Sequence, residues 1–175
     1  MDTQPVRKYR WFWGWNDDKE EAWLHEMALQ GLHLEALELP TVYRFRMGEP
    51  RNDYYRLDFT PARGKERQQY LQLFADSGWE YIGQLASWQY FRKTAEPGEV
   101  PEIFSDNESK IKKYQRLTAV LVVFLPILVL NLNNLNRGQD VFSQVVTFIF
   151  FLLTLFYIFA MLMILRRIGQ LKKKL

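Results

Sequence analysis

Two long apolar runs near the C-terminus, each bordered by basic residues, constrain the fold of this chain more than any other feature. The first run, residues 117–132, has only Thr118 and Asn131 as polar residues, and the second, residues 141–165, has no charged residue. A helix must present about 20 apolar residues to cross the hydrocarbon core of a bilayer. The first run meets this requirement when it is extended slightly. The sequence therefore predicts a two-helix transmembrane hairpin at about 115–134 and 141–165.

The charges around the hairpin predict its orientation. Residues 1–100 carry a net charge of −3 and residues 101–175 one of +6, although the whole chain has only +3. Basic residues border the hairpin on both outer sides: Lys110, Lys112, Lys113 and Arg116 before it, and Arg166, Arg167, Lys172, Lys173 and Lys174 after it. The connecting segment, residues 133–140, has one Arg and one Asp. Because Lys and Arg are enriched in the cytoplasmic flanks of membrane helices, we expect a multi-pass protein of the cell membrane with both termini in the cytoplasm.

The segments around the hairpin complete the predicted domain organisation. Residues 1–95 form a cytoplasmic head, since the start of the chain does not resemble a signal peptide. Residues 96–116 contain a linker rich in Pro and Gly and then a juxtamembrane helix, for which Ser105 and Glu108 have the spacing of a capping box. Residues 166–175 form a basic cytoplasmic tail.

A stripe of small and hydroxylated residues lies on one face of the second apolar run. At about 100° per residue, Ser143, Thr147, Thr154 and Tyr157 fall within an arc of roughly 80°. Such stripes usually pack one membrane helix on another. Because the runs carry no charged residue, we expect the hairpin to act as an anchor, and channel or carrier activity would require oligomerisation.

The head contains an internal repeat with a period of 47 residues. The aligned residues are Trp23, Leu24, Met27, Ala28, Gly31, Leu32 and Leu34 in the first copy and Tyr70, Leu71, Phe74, Ala75, Gly78, Trp79 and Tyr81 in the second. Tyr43 then falls on Tyr90. Each copy reads as a helix with one apolar face that ends at a glycine.

Strands are predicted on both sides of each helix, in the order β-α-β-β-α-β. The strands that precede the helices are the aromatic run of residues 8–15 and residues 52–60, both bounded by turn residues. Residues 32–47, interrupted by Pro40, form either two short strands or one bent strand. Two such halves on one antiparallel sheet make a ferredoxin-like arrangement. The predicted fold class is therefore an α+β, ferredoxin-like head followed by the transmembrane hairpin.

Aromatic density is the most unusual local feature of the head, which holds all six Trp of the chain. In a strand over residues 8–15, the period of two would place Tyr9, Trp11, Trp13 and Trp15 on one side. The rings either build the core of a small domain or form a surface that binds a protein or small ligand, since Trp, Tyr and Arg often anchor interfaces. The candidate ligand- or partner-binding residues are the exposed members of Trp11, Trp13, Trp15, Tyr43, Arg44, Tyr54, Arg56 and Trp88.

Several kinds of chemistry find no support in the sequence. The chain has no Cys, which excludes disulfides and thiolate chemistry, and His25 and His33 lack metal-ligand spacing. The nine Gly form no phosphate-binding loop. Sheet aromatics can stack RNA bases, but the head is net negative and lacks the RNP1 pattern, so we expect no nucleic-acid partner. The acidic residues Asp17, Asp18, Glu20 and Glu21 suit a helix N-terminus and are predicted to be caps, so we expect no catalytic residue, metal or cofactor.

Five segments together resemble an uncharacterised bacterial family labelled only as a domain of unknown function. They are residues 19–31 (KEEAWLHEMALQG), 54–59 (YYRLDF), 70–81 (YLQLFADSGWEY), 88–93 (WQYFRK) and 103–110 (IFSDNESK), followed by two membrane helices. The resemblance implies a membrane protein, mainly of Gram-positive bacteria, often encoded beside PadR-type transcriptional regulators. It implies a regulatory or envelope-response setting and supplies no catalytic or binding residue.

These observations lead to two hypotheses on function. The first is a membrane-anchored, cytoplasm-facing, non-enzymatic binding or regulatory module, linked to PadR-type transcriptional control or envelope response. Its partners would be the lipid bilayer and a protein, a second copy of the chain or a small ligand. The alternative is an accessory subunit of a membrane transporter, in which the hairpin is the working part.

Overall fold

A computed structural model describes residues 5–104, 107–135 and 141–173, with residues 131–135 as backbone only. The chain divides into two compact units, Met1–Ser105 and Asp106–Leu175. The first unit contains strands and two short helices, and the second is helical over its described residues. The mixed α and β class with a helical C-terminal part is therefore confirmed.

The first unit is built from two antiparallel sheets and two helices. Its elements in chain order are β1 (Val6–Tyr9), α1 (Asp17–Leu29), β2 (Leu32–Leu39), β3 (Val42–Met47), β4 (Asp53–Phe59), α2 (Gly64–Asp76), β5 (Glu80–Leu85) and β6 (Trp88–Thr94). Sheet 1 has the strand order β1-β3-β2, and sheet 2 has the order β4-β6-β5. Strand β3 pairs with both β1 and β2, and β6 pairs with both β4 and β5.

The internal repeat expected from the sequence is confirmed. Helices α1 and α2 each have 13 residues and begin 47 positions apart, and the two sheets share one strand order. Each helix is followed by a glycine in the left-handed region, Gly31 at φ 77° and Gly78 at φ 79°. Other residues pay about 1–2 kcal/mol in this conformation, which explains why glycine occupies the end of both helices.

Each helix is followed by two strands, which for residues 32–47 is one of the two alternatives that the sequence left open. Residues 32–47 form two strands because a two-residue turn at Pro40 and Thr41 separates β2 from β3. Pro suits this position because its φ is fixed and it has no N–H to donate to a ladder. A turn at Ala86 and Ser87 separates β5 from β6 in the same way. The order is therefore β-α-β-β twice, and the described strands pair as two three-stranded sheets instead of the single sheet of a ferredoxin-like head.

The prediction of one strand over residues 8–15 is wrong. Strand β1 ends at Tyr9, and the N–H of Arg10 makes a final bond to the carbonyl oxygen of Thr41 at 3.0 Å. The partner strand β3 begins only at Val42, so the ladder has no further residues to pair with. The chain then turns toward α1, with Asn16 donating to the carbonyl oxygen of Trp13 at 2.8 Å. Of the four rings expected on one side of a strand, only that of Tyr9 belongs to β1, and Trp11, Trp13 and Trp15 lie after its end.

Sheet 2 is covered by apolar residues on both faces. The main core contains Trp23, Leu24, Ala28, Leu34, Tyr43, Phe45, Tyr55, Leu57 and Tyr90, which come from α1 and both sheets. A second cluster contains Phe74, Trp79 and Phe91. Tyr90 and Phe91 are successive residues of β6 and so point to opposite faces of the sheet. Each large side chain buried in this way stabilises the head by about 1.5–3 kcal/mol.

The second unit consists of two long helices, α3 (Asn107–Leu135) and α4 (Val141–Lys172). Both are long and apolar enough to cross a membrane, judged by length and composition. They pack on each other, and the hydroxyl of Tyr157 donates to the carbonyl oxygen of Leu121 at 2.8 Å. The predicted stripe on α4 (Ser143, Thr147, Thr154 and Tyr157) is half-buried between exposed neighbours. This pattern agrees with the expected contact face between the two helices.

Helix α3 joins two predicted segments into one. It begins at Asn107 and continues without a break into the first apolar run, so the juxtamembrane helix runs directly into the first hairpin helix, as expected. Ser105 of the predicted capping box and residues 136–140 of the connecting segment lie outside the described residues.

Candidate functional site

A cleft of about 260 Å³ lies in the first unit, where the segment before α1 meets the two sheets. Aromatic rings and two acidic side chains line it: Trp11, Trp13, Asp17, Glu20, Tyr43, Trp88 and Tyr90, among others. An apolar pocket with a few convergent polar groups is the usual form of a small-ligand site. We call this site the aromatic cleft.

The polar floor of the aromatic cleft is a carboxylate held by two tyrosines. Glu20 lies in the first turn of α1 and is only 6% exposed. The hydroxyls of Tyr43 and Tyr90 both donate to its Oε1, at 2.8 and 2.7 Å. Tyr43 and Tyr90 are equivalent positions of the internal repeat, so packing of the two copies brings both hydroxyls to one oxygen. The position of α2 equivalent to Glu20 is Arg67, and therefore the site occurs in one copy only.

Burial governs the ionisation of this group. The pKa of Glu20 is raised, chiefly because burial penalises the charged carboxylate, while the two tyrosine hydrogen bonds oppose the shift and the nearby Asp17 adds to it. Burial and the charge of Glu20 also raise the pKa of both Tyr43 and Tyr90. The two hydroxyls consequently stay protonated and act as donors to Glu20.

The rim of the aromatic cleft is formed by tryptophans that are open to solvent. Trp11 is 53% exposed and Trp13 is 38% exposed. The rings of Trp11 and Trp13 meet edge to face with centroids 5.0 Å apart, and Trp13 is stacked on Trp15 at 5.2 Å. Two large exposed rings beside a cleft are a feature of many interaction sites. Such rings form the contact surface that a ligand would meet first.

Four of the predicted binding residues line the aromatic cleft. Trp11 and Trp13 form the exposed rim, Trp88 is half-buried in its wall, and Tyr43 is buried at its floor. The structure therefore brings together residues that lie on the segment before α1, on β3 and at the start of β6.

Trp15 and Arg44 do not line the aromatic cleft. Trp15 is 8% exposed, and its ring is stacked on that of Trp13. Arg44 points to the opposite face of sheet 1 from the core, where its guanidinium contacts Glu35 at 3.2 Å and Glu38 at 3.5 Å. Such exposed ion pairs contribute little to stability, and they lie away from the cleft.

Tyr54 and Arg56 also lie outside the aromatic cleft. The ring of Tyr54 is stacked on that of His25 with centroids 4.2 Å apart. The buried guanidinium of Arg56 contacts Glu102 at 3.1 Å and Glu21 at 3.5 Å. These contacts connect β4 with α1 and with the chain that follows β6.

Sequence reasoning missed the carboxylates and one tyrosine of the site. Asp17 and Glu20 were expected only to cap a helix, whereas both are buried, and Glu20 binds tyrosine side chains. The N-cap residue Asn16 makes no side-chain capping bond. The available signal was the repeat itself, because it aligned Tyr43 with Tyr90 and so indicated that the two could meet.

The two histidines contact main-chain carbonyls. Nδ1 of His25 lies 2.9 Å from the carbonyl oxygen of Asp53, and Nε2 of His33 lies 2.8 Å from that of Glu49. Within residues 5–104, 107–135 and 141–173, no group of three or more acidic or His side chains is arranged to hold a metal ion.

Comparison with known proteins identifies one family. Residues 16–125 match the family described as Protein of unknown function (DUF2812). This match covers more than half of the chain and includes the carboxylates of the aromatic cleft. No curated protein and no solved structure matches the chain.

Proposed function

Because this chain belongs to the DUF2812 family, whose description assigns no activity, we propose its function from its own residues. It is a membrane-anchored, cytoplasm-facing binding module without enzymatic activity, and its head takes up a ligand or partner in the aromatic cleft. The regulatory or envelope-response setting implied by the resemblance belongs to this proposal.

The length and flanks of the helices support the membrane anchor. Helix α4 has 32 residues, which at 1.5 Å per residue amounts to about 48 Å and exceeds a hydrocarbon core of about 30 Å. Its last turns carry Arg166 and Arg167, and α3 has Lys110, Lys112 and Lys113 in its first turns. The excess of basic residues at these two ends favours a cytoplasmic location for both.

One observation carries the binding role. Trp11 and Trp13 stay exposed in a head that buries Trp15, Trp23 and Trp79. Exposure of the two rings to water is unfavourable, and their burial against a ligand or partner would stabilise the complex. Trp is also among the residue types enriched in the dominant contacts of interfaces.

Crosslinking of the full-length chain in intact cells tests this role. The double variant Trp11→Ala and Trp13→Ala should lose the crosslinked product that the natural chain forms. Tyr9→Ala is the matched control because Tyr9 is an exposed ring of the same segment, 73% exposed, that does not line the aromatic cleft. This control should form the product normally.

The structure of the variants decides how a loss is interpreted. Circular dichroism and thermal unfolding should show an intact head, since removal of exposed rings leaves the main core in place. If the double variant is folded and still forms the same crosslinked product as the natural chain, the proposed role of the aromatic cleft is disproved.

A further inference from the structure

We propose that the aromatic cleft binds the methylated ammonium group of a small organic cation. This inference rests on the proposed binding role and specifies the chemistry of its ligand. Its support comes from the charge, the hydrogen bonding and the size of the site.

The charge of the aromatic cleft suits a cation. Asp17 and Glu20, both buried, are its acidic lining residues, and no Lys or Arg is among the described residues that line it. The guanidinium of Arg10 lies over the ring of Phe12, a lining residue, at 5.2 Å from the centroid and over that of Trp23 at 5.3 Å. A cation in the cleft would therefore meet acidic groups below and electron-rich tryptophan rings above, and both attract positive charge.

Hydrogen bonding favours a methylated cation over a primary amine or a guanidinium. Oε1 of Glu20 already accepts two hydroxyl bonds. The walls formed by Trp11, Trp13 and Trp88 offer ring surfaces, which do not accept the several N–H groups of a lysine or arginine side chain well. Buried donors without acceptors cost free energy. A methylated ammonium has no such donors, and aromatic rings with a nearby acid are a common way to recognise it.

The size of the site sets the class of ligand. A volume of about 260 Å³ lies below the range of about 300–1,000 Å³ that holds drug-sized molecules. It suits a compact cationic head group. Soluble molecules and lipids of the choline type both carry such a group, and the recognised chemistry is the same in both.

Titration calorimetry on the full-length chain in a maltoside detergent tests the proposal. The probes are tetramethylammonium, choline and the neutral analogue of choline in which carbon replaces the nitrogen. Both cations should bind, and the neutral analogue should bind at least about tenfold more weakly, since its size is the same and only the charge is lost. Equal binding of the neutral analogue, or no binding of any probe, would overturn the proposal.

Matched variants assign the binding to the floor of the aromatic cleft. Glu20→Gln keeps an acceptor for both tyrosines and removes the charge, so it should weaken tetramethylammonium binding roughly tenfold. Glu38→Gln removes an acidic charge from the exposed face of sheet 1 and should leave binding unchanged. If Glu20→Gln does not fold, the comparison between choline and its neutral analogue in the natural chain decides the question.

Two further measurements distinguish ligand sources. Choline binding that is suppressed in phosphatidylcholine nanodiscs, but not in phosphatidylglycerol nanodiscs, supports a lipid head group, whereas equal binding in both supports a soluble cation.

A lysine side chain, supplied as the blocked amino acid, should bind much more weakly than tetramethylammonium. If it binds as tightly, the assignment to a methylated ammonium is overturned in favour of a protein side chain. A crosslinking result that depends on Trp11 and Trp13 would stand in either case, so failure of this inference differs from failure of the proposed function.

Discussion

Glu20 combines a role in the fold with a role at the candidate site. A carboxylate in the first turns of a helix is favoured by the helix dipole, and this is all that its place in the sequence indicates. The tertiary structure buries it and supplies two tyrosine hydroxyls. Because burial is the largest influence on its pKa and raises it, the charged form of Glu20 opposes folding.

Glu20→Gln should remove a pH-dependent loss of stability. The raised pKa of Glu20 means that the folded chain holds this proton more tightly than the unfolded chain, so the free energy of unfolding falls as pH rises from the ordinary pKa through the raised one. The variant lacks this titration. Its unfolding midpoint can be followed by tryptophan fluorescence because all six Trp lie in the head. As pH rises above the ordinary pKa of a glutamic acid, this midpoint should fall less than that of the natural chain.

Glu38→Gln provides the control for this measurement. Contact with Arg7 lowers the pKa of Glu38, so its contribution to stability is present above the ordinary pKa and is lost only at lower pH. Its effect should therefore be constant over the measured range. A difference between Glu20→Gln and the natural chain that is equally constant would contradict the expectation.

The repeated elements share a backbone and differ in their surroundings. The two copies have helices of one length and the same strand order. Leu24 and Ala28 of α1 are fully buried, whereas Phe74 is the buried residue among those described in α2, and Ala75 is exposed. The first helix packs into the core that joins the two sheets, and the second covers the other face of sheet 2.

The glycines at the helix ends provide a matched test of this difference. Ala at either position must adopt a positive φ, which costs about 1–2 kcal/mol. A Cβ at Gly31 would also lie 2.4 Å from the carbonyl oxygen of Gly48, whereas a Cβ at Gly78 would have its nearest neighbour, Nζ of Lys93, at 3.6 Å. Gly31→Ala should therefore lower the unfolding midpoint by clearly more than Gly78→Ala does. Equal losses would mean that the backbone at Gly48 moves aside at no cost.

The whole molecule combines a small domain with two helices that suit a bilayer. The apolar side chains of α4 are mostly exposed in the isolated chain, which a soluble protein of this size would not tolerate as one large patch. Lipid would cover this surface, and the contacts between α3 and α4 would include those of Tyr157 in the hydroxylated stripe and of Arg167 with Tyr114.

The proposed orientation can be measured directly because the chain has no Cys. Gln139→Cys places a thiol in the connecting segment, and Leu73→Cys places one on α2, at a position that is 64% exposed. A maleimide that cannot cross membranes should label Gln139→Cys in intact cells and Leu73→Cys only after permeabilisation. The reverse pattern would show that the head faces outward and would remove the basis for a cytoplasmic ligand.

The sequence by itself determined the elements whose causes are local. The length of the apolar runs predicted the two long helices, and residue spacing and glycine positions predicted α1, α2 and the internal repeat, because hydrophobic periodicity and left-handed backbone act over a few residues. The second strand after each helix was harder to predict. For residues 32–47 the pattern left one bent strand and two short strands both open, since a short turn such as that at Pro40 can also bend a single strand.

Only the tertiary structure decided the aromatic cleft. Glu20 is separated from Tyr43 by 23 positions and from Tyr90 by 70, and no local pattern indicates that these three side chains converge. Nor does residue type reveal that Trp15 is buried while Trp11 and Trp13 remain exposed. The physical reason is that burial and hydrogen bonding depend on how two copies of a repeat pack together, and this packing is set by contacts far apart in the chain.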